Sequence, residues 1–224
     1  MKGNREILFF FVVVLVFLST GYLHAQVIKG AVLAGMNLSQ VDGDEIYGFN
    51  KVGINLGAAA IVPFADKWEA SIETIFSQKG SYQGPHYDDS LTGEYRLRLN
   101  YLEVPVLVHF NDKDKVIFGA GFSWGRLVHV EEYEHGNRVE STTLNNGPYS
   151  KNDYNAMVDL RFRIYKQLKF NVRYAYSLRK IRTRVYNPPF SNDSWTREQF
   201  NNFWTFRLIY IFNEEISKQA RKQD

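Results

Sequence analysis

The chain of 224 residues contains no cysteine. That absence excludes a disulfide framework, a thiol nucleophile and the lipid-bearing cysteine of a bacterial lipoprotein. There is no concentrated basic segment either. The 27 Lys and Arg residues against 24 Asp and Glu leave a formal charge of +3 spread along the sequence, without the clustered footprint that nucleic-acid binding requires. Beyond the N-terminal segment, no stretch is apolar enough for a spanning helix, which needs roughly 20 consecutive apolar residues. A mature chain that crosses a membrane must therefore cross it with strands.

The N-terminal segment has a different character. Lys2 and Arg5 precede an unbroken apolar run from Ile7 to Leu18, and Ser19, Thr20 and Gly21 lead on to Leu23, His24 and Ala25. These are the three regions of a secretory signal peptide. The apolar core is too short to span a bilayer, so residues 1–25 are expected to be removed after Ala25, with Gln26 beginning the mature protein.

What is abundant is aromatic: 16% of the residues, including 14 Tyr and 17 Phe. Amphipathic rings belong at the two interfaces of a membrane barrel. The organising stretch runs from Leu99 to Trp124, where two apolar and β-branched runs flank Asn111 to Lys115, the pattern of a long hairpin with a polar turn. Eight strands are expected: Val27 to Leu38, Asn50 to Val62, Trp68 to Gly80, Arg96 to Phe110, Val116 to Val130, Tyr154 to Tyr165, Leu168 to Arg182 and Asn202 to Phe212. Short turns (Pro63 to Lys67, Asn111 to Lys115, Lys166 with Gln167) alternate with long connections (Ser39 to Phe49, Ser81 to Tyr95, Glu131 to Asp153, Thr183 to Asn201). The fold class is therefore all-β: an eight-stranded antiparallel up-and-down transmembrane β-barrel, residues 26–212, with short periplasmic turns and long extracellular loops. Residues 213–224 form a charged tail, expected to be a frayed periplasmic extension.

Alternation gives each strand a polar and an apolar face. Asn155, Asp159, Arg161 and Arg163 share one face of the sixth strand. Lys169, Asn171, Arg173, Ser177 and Arg179 share one face of the seventh, and Thr205 and Arg207 one face of the eighth. An Arg facing lipid at the midplane costs about 2–4 kcal/mol, so these faces should point inward. Lys29, Gly35, Asn37 and Lys51, Gly53, Asn55, Gly57 share the corresponding side of the first two strands, where glycine permits strong coiling. Pro105 lacks a ladder donor, and a bulge or a strand end is expected there.

Gly35-Met36-Asn37-Leu38-Ser39, Gly43-Asp44, Gly53 with Gly57, Gln78-Lys79-Gly80-Ser81, Tyr101-Leu102-Glu103-Val104-Pro105, and Gly119 with Gly121 occur in this order. In that order the chain resembles the PorT-like outer-membrane β-barrel proteins of Bacteroidetes, most specifically in YLEVP following QKGS. The resemblance implies an eight-stranded barrel in the outer membrane of a Gram-negative bacterium, inserted by the barrel-assembly machinery. The namesake's association with protein secretion makes a secretion-system partner an expectation. The resemblance supplies no catalytic or transport residue.

The interior charges form the main constellation. Glu69, Glu73, Glu103 and Asp159 are placed to meet Arg161, Arg163, Arg173 and Arg207, either as a polar pore or solute site or as an ionic plug that fixes register. An eight-stranded barrel is wide enough only for its own side chains or one small ligand, which favours the plug. Tyr82, Tyr87, Tyr133, Tyr149, Tyr186, Phe190 and Trp195 are expected in the long loops, either contacting a protein or glycan partner or packing on one another at the upper interface. Asp42, Asp44 and Glu45, like Asp88 and Asp89, have calcium-compatible chemistry without complete loop spacing, and solvated turns are favoured. His86, His129 and His135 beside Ser81, Ser90 or Ser141 are the material for a hydrolase, with no local nucleophile motif. The expectation is therefore a non-enzymatic structural or binding protein with no cofactor and no metal. The alternatives are a small lipid-modifying enzyme, a narrow solute channel, or a soluble periplasmic barrel of the calycin kind.

Overall fold

In a computed structural model of the chain, the described residues are 28–85, 93–112, 115–186 and 194–214. Ten strands run in order: β1 (Lys29–Asp42), β2 (Lys51–Ala65), β3 (Trp68–Gln83), β4 (Tyr95–Asp112), β5 (Val116–Glu134), β6 (Asn137–Arg138), β7 (Asn152–Tyr165), β8 (Leu168–Ser177), β9 (Arg182–Tyr186) and β10 (Trp195–Ile211). Eight of them form an antiparallel meander, β1-β2-β3-β4-β5-β7-β8-β10. The last stave, β10, then pairs with β1 from Ala31 opposite Ile211 to Asp42 opposite Phe200. This closes the wall, and a closed wall has no free edge. The two short strands lie at the long-loop end, β6 beside β5 and β9 beside the start of β10.

Period-two patterning decides which way each residue points. On β4 the outward residues are Phe110, Val108, Val106, Val104 and Leu102, followed by Asn100, Arg98 and Arg96, while Leu99, Tyr101, Glu103, Leu107 and His109 are buried inside. At about 3.3 Å per residue and a tilt of about 40°, the outward apolar stretch is about 20–25 Å tall. Val32, Met36, Ile54, Val106, Phe122, Val158 and Leu208 are exposed around the same belt. Trp68, Phe110, Tyr210 and Phe212 rim it at the short-turn end, with Trp68 on Phe110 and Tyr210 on Phe212 each edge-on at 5.2 Å. At the other rim Tyr174 packs on Trp204 at 4.9 Å, and Trp124 stands opposite Tyr154. These are the two aromatic girdles of a barrel immersed in lipid.

The staves are longer than the hydropathy pattern indicates. β3 runs to Gln83 where Gly80 was the expected end, β5 to Glu134 rather than Val130, and β10 begins at Trp195 rather than Asn202. Pairing continues above the lipid because the inward faces there bury a second core, in which Val41, Tyr95, Leu97, Leu99, Leu127, Val130, Tyr149 and Ile181 pack together. Much of the expected loop is therefore sheet. The seventh expected strand is corrected in the opposite sense: β8 stops at Ser177, and Arg179 lies exposed beyond it rather than inside.

No bulge forms at Pro105. The β3–β4 register is the same on both sides, with Ile72 opposite Val106 and Ile75 opposite Glu103, and the missing donor is absorbed as a gap in one ladder. The irregularity falls instead between Asn100 and Tyr101, which face His129 and Leu127 and leave Val128 as the extra residue of β5. Close coiling does depend on glycine. A Cβ on Gly35 would lie 2.1 Å from the Phe206 carbonyl oxygen, and one on Gly53 would lie 2.1 Å from that of Gln78.

Candidate functional site

The interior is stacked in layers, and the charges expected to meet in one network are divided among them. At the short-turn mouth Lys29 Nζ lies 2.7 Å from Glu69 Oε1, which also accepts from Asn111 at 3.2 Å. Arg163 Nη2 and Lys169 Nζ reach Glu214 at 2.7 and 3.1 Å. Burial opposes ionisation of Glu214, but Lys169 and Arg163 outweigh it and hold the carboxyl below its ordinary value. Ala31, Leu33, Ile61, Ile75, Ile209 and Ile211 form an apolar layer inside the same end of the barrel.

The central layer is the densest. Glu73 accepts from Arg173 through both oxygens at 2.8 and 2.9 Å, from Arg207 at 3.0 Å and from Arg161 at 3.2 Å. Asp159 accepts from Arg161 Nε at 2.9 Å, Arg173 Nε at 2.8 Å and Asn171 at 2.9 Å, with His109 Nε2 at 3.3 Å. Five of the eight expected lumen residues, Glu73, Asp159, Arg161, Arg173 and Arg207, therefore converge here, all within 2% of full burial. The other three do not. Glu69 lies four residues nearer the mouth than Glu73 on β3, and Arg163 two residues nearer than Arg161 on β7, where Lys29 and Glu214 are the partners within reach.

Glu103 lies higher and belongs to a third layer. Lys79 there contacts Glu103 and, at 3.0 Å, Asp153. Its ammonium also stands 4.0 Å from the Phe203 ring centre and 4.9 Å from that of Tyr101, a cation–π cradle. Ser177 and Asn201 donate to Asp153 at 2.6 and 2.9 Å. Leu107, Met157, Ala175 and Phe203 form another inward apolar cluster. Lys79 and Asp153 were both readable and were both missed. Lys79 follows the parity of Glu69, Glu73 and Ser77, and Asp153 fell one residue outside the expected strand.

Above the lipid a crown closes the barrel. Glu132 accepts from the Tyr95 hydroxyl at 2.8 Å, from Arg182 at 2.8 Å and from the Thr142 hydroxyl. Arg182 also donates to the Tyr149 hydroxyl at 2.7 Å and lies over its ring. Burial raises the Glu132 carboxyl, but Thr142, Arg182 and Tyr95 bring it below its ordinary value, and burial pushes both tyrosine hydroxyls upward. This clasp ties the chain between β6 and β7 across the top of the lumen.

The expected loop aromatics separate accordingly. Tyr149 is buried in the crown and is no partner surface, because its ring completes the upper core. Tyr82 and Tyr133 belong to β3 and β5 rather than loops, half-buried, with the Arg96 guanidinium 4.5 Å over the Tyr133 ring. Trp195 opens β10 and is exposed. Tyr87, Phe190 and the Tyr186 side chain lie outside the described residues, as do His86, Asp88, Asp89 and Ser90.

The acidic group after β1 does not form a cation site. Asp42 accepts from Gln40 and Asn202, Asp44 turns inward to the Ile46 amide, and Glu45 pairs with Arg197 at 3.2 Å. Burial raises the Asp44 carboxyl to about 6. The described part of the hydrolase material is likewise dispersed. Ser81 is buried inside, His129 is exposed on the wall beside Glu131, and His135 and Ser141 are exposed at the top.

Residues 25–182 match the sequence model of the outer membrane protein beta-barrel domain. No curated protein matches the chain at a significant level. Among solved structures, Ail, the attachment invasion locus protein of Yersinia pestis, is 17% identical with a TM-score of 0.47, over 82% of this chain and 98% of that one. Neisserial surface protein A is 8% identical with a TM-score of 0.44, over 83% and 96%. Neither likeness bears on activity.

Proposed function

The chain belongs to the outer membrane protein beta-barrel domain family, and from that premise we propose that it is a non-enzymatic binding or structural protein acting through its extracellular crown. It is an outer-membrane β-barrel; the finer role is the proposal. The observation that carries it is the filled interior. Three ionic layers and intervening apolar clusters occupy the lumen, and the Glu132 clasp holds a polypeptide cap over it. An interior of this kind supports anchoring of a rigid surface rather than passage of solute. The PorT-like motifs support a link to protein secretion, with a secretion-system or other extracellular protein as partner. The same reading includes removal of residues 1–25 and insertion by the barrel-assembly machinery.

The test joins two readouts. Purified barrel in a planar bilayer gives no single-channel steps. A photo-crosslinking residue at Asn145 in the cap, introduced in intact cells, gives a discrete protein adduct, while one at Asp66 in a short turn gives none. Stepwise conductance, or no Asn145 adduct beside a fully folded barrel, overturns the proposal.

A further inference from the structure

On the lipid-facing wall, between β5, β7 and β8, lies an apolar trough of about 450 Å³. Its shape follows from the register. Phe122 stands opposite Ala156, and Ala156 opposite Tyr176, so that a methyl group sits between two rings. One row below, Ala120 faces Val158, and Val158 faces Tyr174. Adjacent strands are about 4.8 Å apart, so the rings flanking Ala156 stand on staves about 10 Å from one another, the width of one hydrocarbon chain with its contacts. Phe122 and Val158 are among the most exposed apolar side chains of the wall, at 65% and 57%.

Two rows above the trough, about 10 Å nearer the long-loop end, the same three staves turn cationic. Arg126 opposes Asn152, and its guanidinium donates to the neutral Asn152 Oδ1 at 3.1 Å. Lys180, just past β8, pairs with Glu198 at 2.6 Å, both half-exposed, and Arg179 beside it is exposed. Among the described residues, neither Arg126 nor Arg179 has a carboxylate within ion-pair distance. On β1 and β3 the same level carries Gln40, Asp42 and Gln78 instead. The neighbouring β4 carries Arg98, paired with Glu131 at 3.4 Å, and Arg96, stacked over the Tyr133 ring, whereas Arg126 and Arg179 over the trough have no carboxylate partner among the described residues.

From this alignment we infer that the wall of β5, β7 and β8 is a specific site for a phosphate-bearing lipid of the leaflet under the long loops. One acyl chain lies in the Ala156 trough, and the headgroup phosphate lies against Arg126 and the Arg179–Lys180 pair. The inference rests on the outer-membrane reading. An apolar chain and an anion are required together, because each half alone is weak: the trough is open to any lipid, and exposed cations are screened.

The test uses a variant with Trp68, Trp195 and Trp204 replaced by Phe, which leaves Trp124, one row above the trough, as the reporter. The barrel is placed in phosphatidylcholine nanodiscs doped with brominated-chain phosphatidylglycerol or, at the same fraction, brominated phosphatidylcholine. Quenching of Trp124 is expected to be several-fold stronger with the anionic lipid. Ala156→Leu, which fills the trough from outside, should abolish that excess, and Arg126→Gln should reduce it to the level of the neutral lipid. Equal quenching by both lipids, or an excess unchanged by Ala156→Leu, overturns the site and leaves an ordinary lipid annulus. A heat-modifiable band for every variant shows that the barrel has inserted. Failure to insert would instead count against the membrane reading itself.

Discussion

Replacing Glu73 by Gln isolates the interaction on which the central layer depends. Its carboxylate accepts from Arg161, Arg173 and Arg207, and Asp159 alone would remain to compensate three buried guanidiniums. Removing one partner of a buried ion pair costs about 3–5 kcal/mol, because the stranded charge stays desolvated. With three cations sharing Glu73, the loss belongs at the upper end of that range. Exposed pairs such as Lys180 with Glu198 contribute about 0–1 kcal/mol, so Lys180→Gln serves as the reference. The assay is urea unfolding in lipid vesicles, followed by tryptophan emission and by the folded band on unboiled gels, with the slope checked for constancy. Arg207→Met on the Glu73→Gln background should recover part of the loss, since it removes one of the stranded charges. A Glu73→Gln loss below about 1 kcal/mol, or a strictly additive double variant, would refute the view that the lumen is held by this network.

Three further outcomes follow from the same geometry. Gly35→Ala places a methyl group against the Phe206 backbone, so the yield of heat-modifiable barrel should fall sharply, while Gly30→Ala, whose Cβ meets only the Phe212 ring at an ordinary 3.6 Å, leaves it unchanged. Tyr149→Phe with Arg182→Gln should open the cap to protease between residues 137 and 148 without shifting global unfolding by more than about 1–2 kcal/mol; unchanged cleavage would sink the clasp. Asp44 is held up to about 6 from an ordinary 3.8, so the folded state favours its protonated form. Docking of the segment after β1 should therefore weaken as pH rises from about 4 to 6, and Asp44→Asn should flatten that dependence in amide exchange.

The wall was legible in the sequence because lipid outside and packed polar groups inside impose a strict period of two. Phe162, Val172 and Phe206 could be assigned against Arg161, Arg173 and Arg207 without any structure. The division of the charges into layers was not legible. Parity gives a residue's face but not its height, and height depends on the stagger among staves, which is why Glu69 and Glu103 were grouped with the wrong partners. The crown was missed for a different reason. Hydropathy marks where lipid ends, whereas the strands end where pairing ends, and Tyr95, Leu97 and Tyr149 form a core that no membrane pattern announces. Pro105 shows the opposite error, since a missing donor was read as a bulge or a strand end although one ladder could simply skip it in mid-strand.

Because the chain has no cysteine of its own, single introduced thiols test the central claim most directly. Asn145→Cys in the cap and Asp66→Cys in a short turn, both at exposed positions, are treated in intact cells with a membrane-impermeant maleimide. The account predicts labelling of Asn145→Cys at once and of Asp66→Cys only after the outer membrane is permeabilised. Labelling of Asp66→Cys alone would reverse the orientation, and equal labelling of both only after permeabilisation would contradict a barrel that spans the outer membrane with its crown outside.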